Sequence, residues 1–282
     1  MTMHRRESRK RLEDERVQRA HPTVRWRQDS WWVLGAFSSV IGLILYVWWP
    51  LAEEALGTLS RDVAWWRQVD WLLLGNFLAM SVLAVLGADL RRDVPIALVG
   101  LAGGLAIEGW GTQTGLWTYY TGEAPPLWIL PAWPIASLSW DRLRRLLDHS
   151  LPHGNAEAFA ISYWLLFPSF IAWLIWFVLP TRSEPLTLLA VSACILLVML
   201  QNDRRTAVLT FAAGAGLGYF LERWGTTREC WSYYTLQTPP AFAVLAHGME
   251  AVAFWRTGLL ASEMWKRLSG RIRPSMAPAE RD

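Results

Sequence analysis

The chain contains one stretch twice, and this duplication constrains the fold more than any other feature of the sequence. Residues 108–126 return without a gap as residues 222–240, and ten of the nineteen positions are identical at a constant offset of 114 residues. The shared positions are a Glu, a Trp-Gly-Thr triplet, a Trp-x-Tyr-Tyr-Thr run and a Pro-Pro pair. Such a period is too long for a solenoid repeat and is typical of a duplicated half-protein, a common plan among membrane proteins. We therefore expect two similar halves that face each other.

The distribution of charged residues predicts a membrane protein. Apolar residues make up 53% of the chain, and charges are sparse in eight windows, each close to the length needed to cross a hydrocarbon core of ~30 Å. These windows are residues 31–50, 71–88, 94–110, 125–140, 158–180, 185–201, 206–222 and 239–256. The sequence thus predicts an all-α polytopic fold with eight transmembrane helices.

The basic residues predict the orientation of these helices. Lys and Arg favour cytoplasmic segments, and 22 of the 27 fall on one side if the N-terminus is cytoplasmic. Both termini are then inside, and both motif copies lie in extracytoplasmic loops. The expected arrangement is two parallel four-helix repeats in a plasma membrane of bacterial type, crossed many times.

This topology divides the chain into five segments. They are a basic cytoplasmic arm (1–30), a first repeat (31–140), a cytoplasmic linker (141–157), a second repeat (158–256) and a cytoplasmic tail (257–282). The arm carries nine basic residues, which suit either lipid headgroups or a soluble protein partner. Nucleic acid is not an expected partner, because the basic residues are already explained by the topology.

Glu108 and Glu222 are the first candidates for catalysis. Each follows a Gly-x-x-x-Gly pair by four residues, so it is expected on the face of a helix that packs against another helix. One interpretation is structural, with each carboxylate capping its own loop through Thr112 or Thr226. The other is functional, because acidic residues near the hydrocarbon core usually mark sites.

His247 and Glu250 are the stronger candidates, because the first half lacks them. They lie three residues apart on the last predicted span, where the aligned residues of the first half are Trp133 and Ala136. We expect a pair that exchanges a proton. A purely structural polar contact between helices remains the alternative. A metal site that adds Glu222 is disfavoured, because one His among scattered acids is a poor ligand set, and no metal or cofactor is expected.

The repeated aromatic residues are candidates for substrate binding. Aromatic belts at the membrane interface explain most tryptophans, but they do not explain a Trp-x-Tyr-Tyr run repeated with fixed neighbours. A loop of this kind is expected to cover a cavity, where its rings stabilise a cation or stack on a polyene. The candidates are Trp110, Trp117, Tyr119, Tyr120, Trp224, Trp231, Tyr233 and Tyr234.

The pattern Glu-x-x-Gly-Thr-x-x-x-x-Trp-x-Tyr, followed by prolines and a helix, resembles the integral membrane carotenoid-biosynthesis superfamily. That superfamily includes lycopene cyclases built from two fused halves, and carotenoid hydratases. The resemblance covers residues 89–142 and 203–256. The cyclases carry Pro-x-Glu-Glu after the loop, whereas here Pro-Ala-Trp-Pro (131–134) and Leu-Ala-His-Gly (245–248) occupy that region and Glu250 is the acid.

The resemblance implies acid catalysis on an isoprenoid. Glu250, relayed by His247, would protonate a terminal double bond, aromatic rings would stabilise the carbocation, and proton loss or water addition would yield a ring or an alcohol without a redox cofactor. Two other functions remain open. One is a non-enzymatic, tryptophan-rich subunit of a membrane complex that holds lipid, quinone or pigment. The other is a carrier for a lipophilic solute.

Overall fold

The computed structural model describes residues 28–60, 62–152, 155–199 and 203–272. Predictions for the basic arm before residue 28 and for the tail after residue 272 lie outside these residues. The described residues are mostly helical (78%), as the sequence predicts. Two short strands, which the sequence analysis did not anticipate, join the two motif copies.

The described chain folds into ten α-helices and two strands, with a short 3₁₀ turn at Leu179–Thr181. In chain order they are α1 (Gln28–Val47), α2 (Trp49–Gly57), α3 (Trp65–Gln68), α4 (Trp71–Val85), α5 (Leu90–Gln113), β1 (Trp117–Tyr119), α6 (Ala132–Ser150), α7 (Ala156–Phe177), α8 (Pro185–Met199), α9 (Arg204–Thr227), β2 (Trp231–Tyr233) and α10 (Ala241–Ile272).

Three of these helices, α1, α5 and α7, are long and apolar enough to cross a bilayer. Two more, α4 and α8, are apolar but shorter. By length and composition, the described helices therefore match the eight predicted spans only in part.

Helix α6 differs from its predicted position. The sequence analysis placed a span over 125–140 and a linker over 141–157, whereas the helix begins at Ala132 and continues to Ser150. Residues 125–131 form turns instead, and Pro134 falls in the first helical turn, where a missing backbone N–H removes no helical bond. Ion pairs from Asp141 to Arg144 and Arg145 support the helix beyond its apolar half. Helix α10 likewise continues to Ile272, into residues assigned to the tail.

Equivalent aspartates start the two long helices that lead to the motifs. Asp89 caps α5 by accepting a hydrogen bond from the backbone N–H of Arg91, and Asp203 caps α9 by accepting one from Thr206. Such side chains satisfy backbone donors that the first helical turn leaves free. The two caps lie 114 residues apart, the same offset as the motifs. Both helices therefore begin at the same distance in sequence from the motif that follows.

Small residues allow two close helix pairs, α5 with α6 and α9 with α10. A Cβ atom added at Gly104 would lie 2.3 Å from the ring of Trp133, and one added at Gly218 would lie 2.6 Å from the Cβ of His247. The predicted packing through Gly-x-x-x-Gly pairs is therefore present. It brings the side chains of residues 133 and 247 close to the helices that carry the two motif glutamates.

A buried ion pair fixes the far end of α5 to α6. Arg142 donates to Asp93 at 2.6 Å, and both side chains are almost fully buried. The Nε atom of Arg142 also donates to the backbone carbonyl of Leu86, 3.1 Å away. Because a buried charge is tolerated only when it is paired and hydrogen-bonded, this contact holds the helices in one register.

Candidate functional site

The two motif copies meet as a two-stranded antiparallel sheet. Strands β1 and β2 pair with Trp117 opposite Tyr233 and Tyr119 opposite Trp231. Successive side chains of a strand point to opposite faces. The hydroxyl groups of Thr118 and Ser232 are therefore exposed on one face, 3.3 Å apart, while the four rings point to the other face.

Glu108 lies beneath this sheet and accepts three hydrogen bonds. Its Oε1 atom accepts from the hydroxyl of Tyr119 at 2.8 Å and from Nε1 of Trp133 at 3.2 Å. Its Oε2 atom accepts from Nε1 of Trp117 at 3.0 Å. The carboxyl group is buried, so these donors replace its water.

Glu222 repeats this arrangement in the second half. Tyr233 donates to its Oε1 atom at 2.8 Å, and Trp231 donates to its Oε2 atom at 3.0 Å. The third partner differs, because Nε2 of His247 lies 3.0 Å from Oε1 where Trp133 stands in the first half. Each strand is thus held to the preceding helix by one carboxyl group.

The capping interpretation of the two glutamates is wrong about their partners. The hydroxyl groups of Thr112 and Thr226 donate to the backbone carbonyls of Glu108 and Glu222, and not to the carboxyl groups. A threonine one turn along a helix reaches the i−4 carbonyl of its own backbone. The carboxyl groups are left to bind the aromatic donors of the strands.

The glycine of each Trp-Gly-Thr triplet makes room for an indole ring. A Cβ atom added at Gly111 would lie 1.8 Å from the ring of Trp117, and one at Gly225 would lie 1.9 Å from the ring of Trp231. Any larger residue would displace the tryptophan whose Nε1 atom binds the glutamate. The triplet is therefore part of the site and not only a turn.

His247 connects two carboxyl groups. Its Nε2 atom lies close to Glu222, and its Nδ1 atom lies 2.9 Å from Oε2 of Glu250. The second pair is at ion-pair distance but lacks the alignment of a hydrogen bond. The first half has Trp133 and Ala136 at these positions, so the relay of three groups exists in the second half alone.

The site opens on an apolar cavity of about 710 Å³ beneath the sheet. Glu108, Glu222, His247 and Glu250 all lie on its wall. The volume lies within the ~300–1,000 Å³ typical of small-molecule pockets. Six of the predicted aromatic residues line the same cavity, namely Trp110, Trp117, Tyr119, Trp224, Trp231 and Tyr233.

Tyr120 and Tyr234 are not among the described residues of the cavity wall, so their role in substrate binding stays a prediction. Each follows its strand, and its hydroxyl donates to a backbone carbonyl at the end of a neighbouring helix, Val47 for Tyr120 and Phe177 for Tyr234. The alternation of side chains along a strand explains the difference, because adjacent tyrosines cannot face the same side. These two residues anchor the sheet to the helices around it.

Trp110 and Trp224 also connect helices. Nε1 of Trp110 donates to the hydroxyl of Thr187 on α8, and Nε1 of Trp224 donates to the carboxylate of Asp70 at the start of α4, both at 3.0 Å. Trp224 stacks on Trp48 with ring centroids 4.8 Å apart.

The sequence analysis missed two tryptophans of the cavity. It did not single out Trp48, whose ring packs against Trp224 and Trp231 and lines the cavity. It also left out Trp140, which lies seven residues after Trp133 on the same face of α6. That spacing is a signal the sequence does contain. The position of Trp48 depends on contacts between distant segments, for which the sequence gives no sign.

Neither the cysteines nor the acids suggest a bound metal. Within the described ranges, no group of three or more His, Cys, Asp or Glu residues is placed to hold one. Both cysteines are free, and burial raises the pKa of the Cys230 thiol to about 12. Cys194 lies on the cavity wall.

No family model, curated protein or solved structure matches the chain. The similarity to carotenoid-biosynthesis proteins therefore remains a prediction, and function is inferred from the site itself.

Proposed function

We propose that the protein crosses a plasma membrane of bacterial type eight times, as two parallel four-helix repeats with both termini cytoplasmic. The three spanning helices and two shorter apolar ones support this topology. Large apolar side chains on the outer faces of α7 and α8, such as Leu165, Leu189 and Leu196, are strongly exposed, as a lipid-facing surface requires. Helices α6, α9 and α10 pack between the others and do not need to be apolar on every side.

The charges at the end of the bundle opposite the sheet support the orientation. Asp141 lies within 4 Å of Arg92, Arg142, Arg144 and Arg145. Burial opposes ionisation of Asp141, but the guanidinium groups of Arg145, Arg92 and Arg144 outweigh it and hold the pKa of this carboxyl below its usual value. A basic cluster is expected on the cytoplasmic side, which leaves the motif sheet outside.

We further propose that the cavity is the active site of an acid-catalysed cyclisation or hydration of an isoprenoid lipid. The observation that carries this proposal is the contact series Glu222–His247–Glu250 on the wall of an apolar, aromatic cavity. A buried acid next to rings is the combination that protonates an alkene and stabilises the resulting cation.

The contacts assign different roles to the acids. Glu222 accepts from Trp231 and Tyr233 and lies against His247, so it is held as an acceptor and fixes the orientation of the imidazole. Glu250 lies on the cavity wall, and its described ion pair is with His247. Glu250 is therefore the proton donor, and His247 exchanges protons with it. Glu108, with three aromatic donors, positions the first strand.

The proposed reaction moves one proton in and one proton out. The O–H bond of Glu250 breaks, its proton forms a C–H bond at one alkene carbon, and the π-electron pair of the alkene supplies that bond. The cation left on the neighbouring carbon is stabilised by ring faces such as those of Trp133 and Trp140. It is then attacked by a second double bond or by water, and loss of a proton to the Glu250 carboxylate restores the acid.

A second candidate function is non-enzymatic binding of lipid, quinone or pigment within a membrane complex. Trp164 and Trp176 on α7 are both more than half exposed, which suits a face that contacts a partner subunit as well as it suits lipid. The carrier function has no observation that favours it over these two.

Replacement of Glu250 by Gln separates the two candidates. The protein would be reconstituted in phosphatidylcholine vesicles with a linear polyene such as lycopene, with geranylgeraniol as a shorter substrate, and products would be resolved by mass spectrometry. We expect the wild type to form a cyclic isomer or a hydrated product, and Glu250→Gln to retain bound lipid without forming it. The exposed Glu157→Gln variant serves as the control. Equal product from Glu250→Gln and the wild type would contradict the enzymatic proposal.

A further inference from the structure

The exposed part of the described cavity wall lies at one place. Among the described residues that line it, only Leu98, Ala102 and Ala106 are exposed. All three lie on α5 at intervals of four residues, and therefore on one face of the helix. They span about 12 Å along the helix axis at the usual rise of ~1.5 Å per residue.

Helix α8 forms the other side of this opening. It contributes Ala190, Ala193 and Leu197 to the cavity wall. The outer ends of α5 and α8 are joined by the hydrogen bond from Trp110 to Thr187. The hydrogen bond from Trp110 to Thr187 lies between the opening and the sheet. The opening itself lies between two apolar helices, at the depth of the hydrocarbon core in the proposed topology.

The equivalent place in the other half, between α4 and α9, has no exposed residue on the described cavity wall. The residues 114 positions after Leu98, Ala102 and Ala106 are Ala212, Gly216 and Phe220, and none of these three residues lies on the cavity wall. There the side chain of Asn76 on α4 donates to the backbone carbonyl of Phe220 on α9, 3.2 Å away.

We propose that the gap between α5 and α8 is a lateral entrance through which an isoprenoid lipid passes from the bilayer into the cavity, with Ala102 and Ala106 as the residues that set its width. This inference rests on the proposed function, which supplies the substrate class. A lipid dissolved in the membrane reaches this gap by lateral diffusion, whereas a polar solute does not reach it. The small methyl side chains at both positions leave space for a flexible, branched lipid chain. An aromatic ring at either position would fill that space.

The inference is tested by photo-crosslinking with a named probe, a diazirine-bearing geranylgeraniol in phosphatidylcholine vesicles. Adducts would be mapped by mass spectrometry to the part of α10 that lines the cavity, residues 242–257. We expect Ala102→Phe and Ala106→Phe to lower cavity labelling at least fivefold. Gly216→Phe is the matched control at the position equivalent to 102. A Cβ atom there meets nothing within 4 Å, so labelling should be unchanged.

The outcomes separate a failure of the entrance proposal from a failure of the proposed function. The entrance proposal would be overturned if both alanine variants were labelled within twofold of the wild type. It would also be overturned if Gly216→Phe lost as much cavity labelling as they do. Either result would leave the enzymatic proposal unaffected. An absence of cavity adducts in the wild type would contradict the substrate class and the entrance together. Competition by oleic acid as strong as by unlabelled geranylgeraniol would overturn the isoprenoid specificity. Thermal unfolding checks that each variant folds. If Ala102→Phe does not fold, Ala106→Phe alone provides the test.

Discussion

Nε2 of His247 lies 3.0 Å from Oε1 of Glu222, at the position where the indole of Trp133 meets Glu108 in the first half. A histidine in place of the tryptophan keeps the contact to the glutamate and adds a second ring nitrogen, which faces Glu250. In the proposed mechanism, this position serves structure in the first half and proton transfer in the second.

His247→Trp should separate these two roles. Gly218 lies against His247 as Gly104 lies against Trp133, so the second half should accept the ring, and the indole can still donate to Glu222. We expect folding to be retained and turnover to fall about 10²–10⁴-fold, the usual contribution of a general acid or base. Product assays and thermal unfolding check both parts, with the exposed Glu157→Gln as the control that should remain active. A fully active His247→Trp would remove the relay from the mechanism.

Glu108→Ala should destabilise the protein strongly without acting on the chemistry directly. The change leaves three buried donors, on Trp117, Tyr119 and Trp133, without their acceptor. Each unsatisfied group costs about 1–3 kcal/mol, so the expected loss is several kcal/mol. Denaturant unfolding in detergent measures it, and the exposed Glu157→Ala provides the comparison. A loss no greater than that of the control would show that Glu108 does not hold the sheet.

Gly111→Ala and Gly225→Ala should each displace the tryptophan that binds a glutamate. The added methyl overlaps an indole ring, and overpacking of this kind costs about 1–3 kcal/mol. Gly216→Ala meets open space on α9 and should be neutral or slightly stabilising, since alanine favours helices. Unfolding curves of the three variants give the comparison directly. Similar stability for all three would mean that the close approach is not required.

The side chain of Thr118→Cys should react with a maleimide added outside the cell. Thr118 is exposed on the outer face of the motif sheet, whereas Ser150 is exposed at the end of α6, in the proposed cytoplasmic part. In a background of Cys194→Ala and Cys230→Ala, a membrane-impermeant maleimide added to whole cells should label Thr118→Cys, and should label Ser150→Cys only after lysis. The reverse pattern would invert the topology.

Arg142→Ala should be among the most destabilising single changes at the proposed cytoplasmic end. It leaves the buried carboxylate of Asp93 without its partner, and breaking a buried pair costs about 3–5 kcal/mol. The double variant Asp93→Leu with Arg142→Met removes both charges and should recover most of this loss. Unfolding measurements on the single and double variants check the coupling. Equal stability of the two variants would contradict it.

The sequence predicted the parts of the site that depend on local pattern. The asymmetry at residues 247 and 250 is visible from the aligned halves, and the spacing from the glycine pairs places Glu108 and Glu222 on packed faces. The strands were missed because three residues of Trp-x-Tyr are too short to show a period of two. The position of the adjacent tyrosines away from the cavity wall was missed for the same reason. The cavity role of Trp48 was missed because it arises from contacts with a segment nearly 180 residues away.

The central claim is that Glu250 delivers a proton to a carbon atom of the substrate, and deuterium incorporation measures this step. The reconstituted protein would be incubated with the polyene in D₂O and the product analysed by mass spectrometry. One carbon-bound deuterium per turnover is expected in the wild-type product, because Glu250 exchanges its proton with D₂O through His247 between turnovers. No product is expected from Glu250→Gln. A product without carbon-bound deuterium, or one that forms equally in Glu250→Gln, would contradict the mechanism.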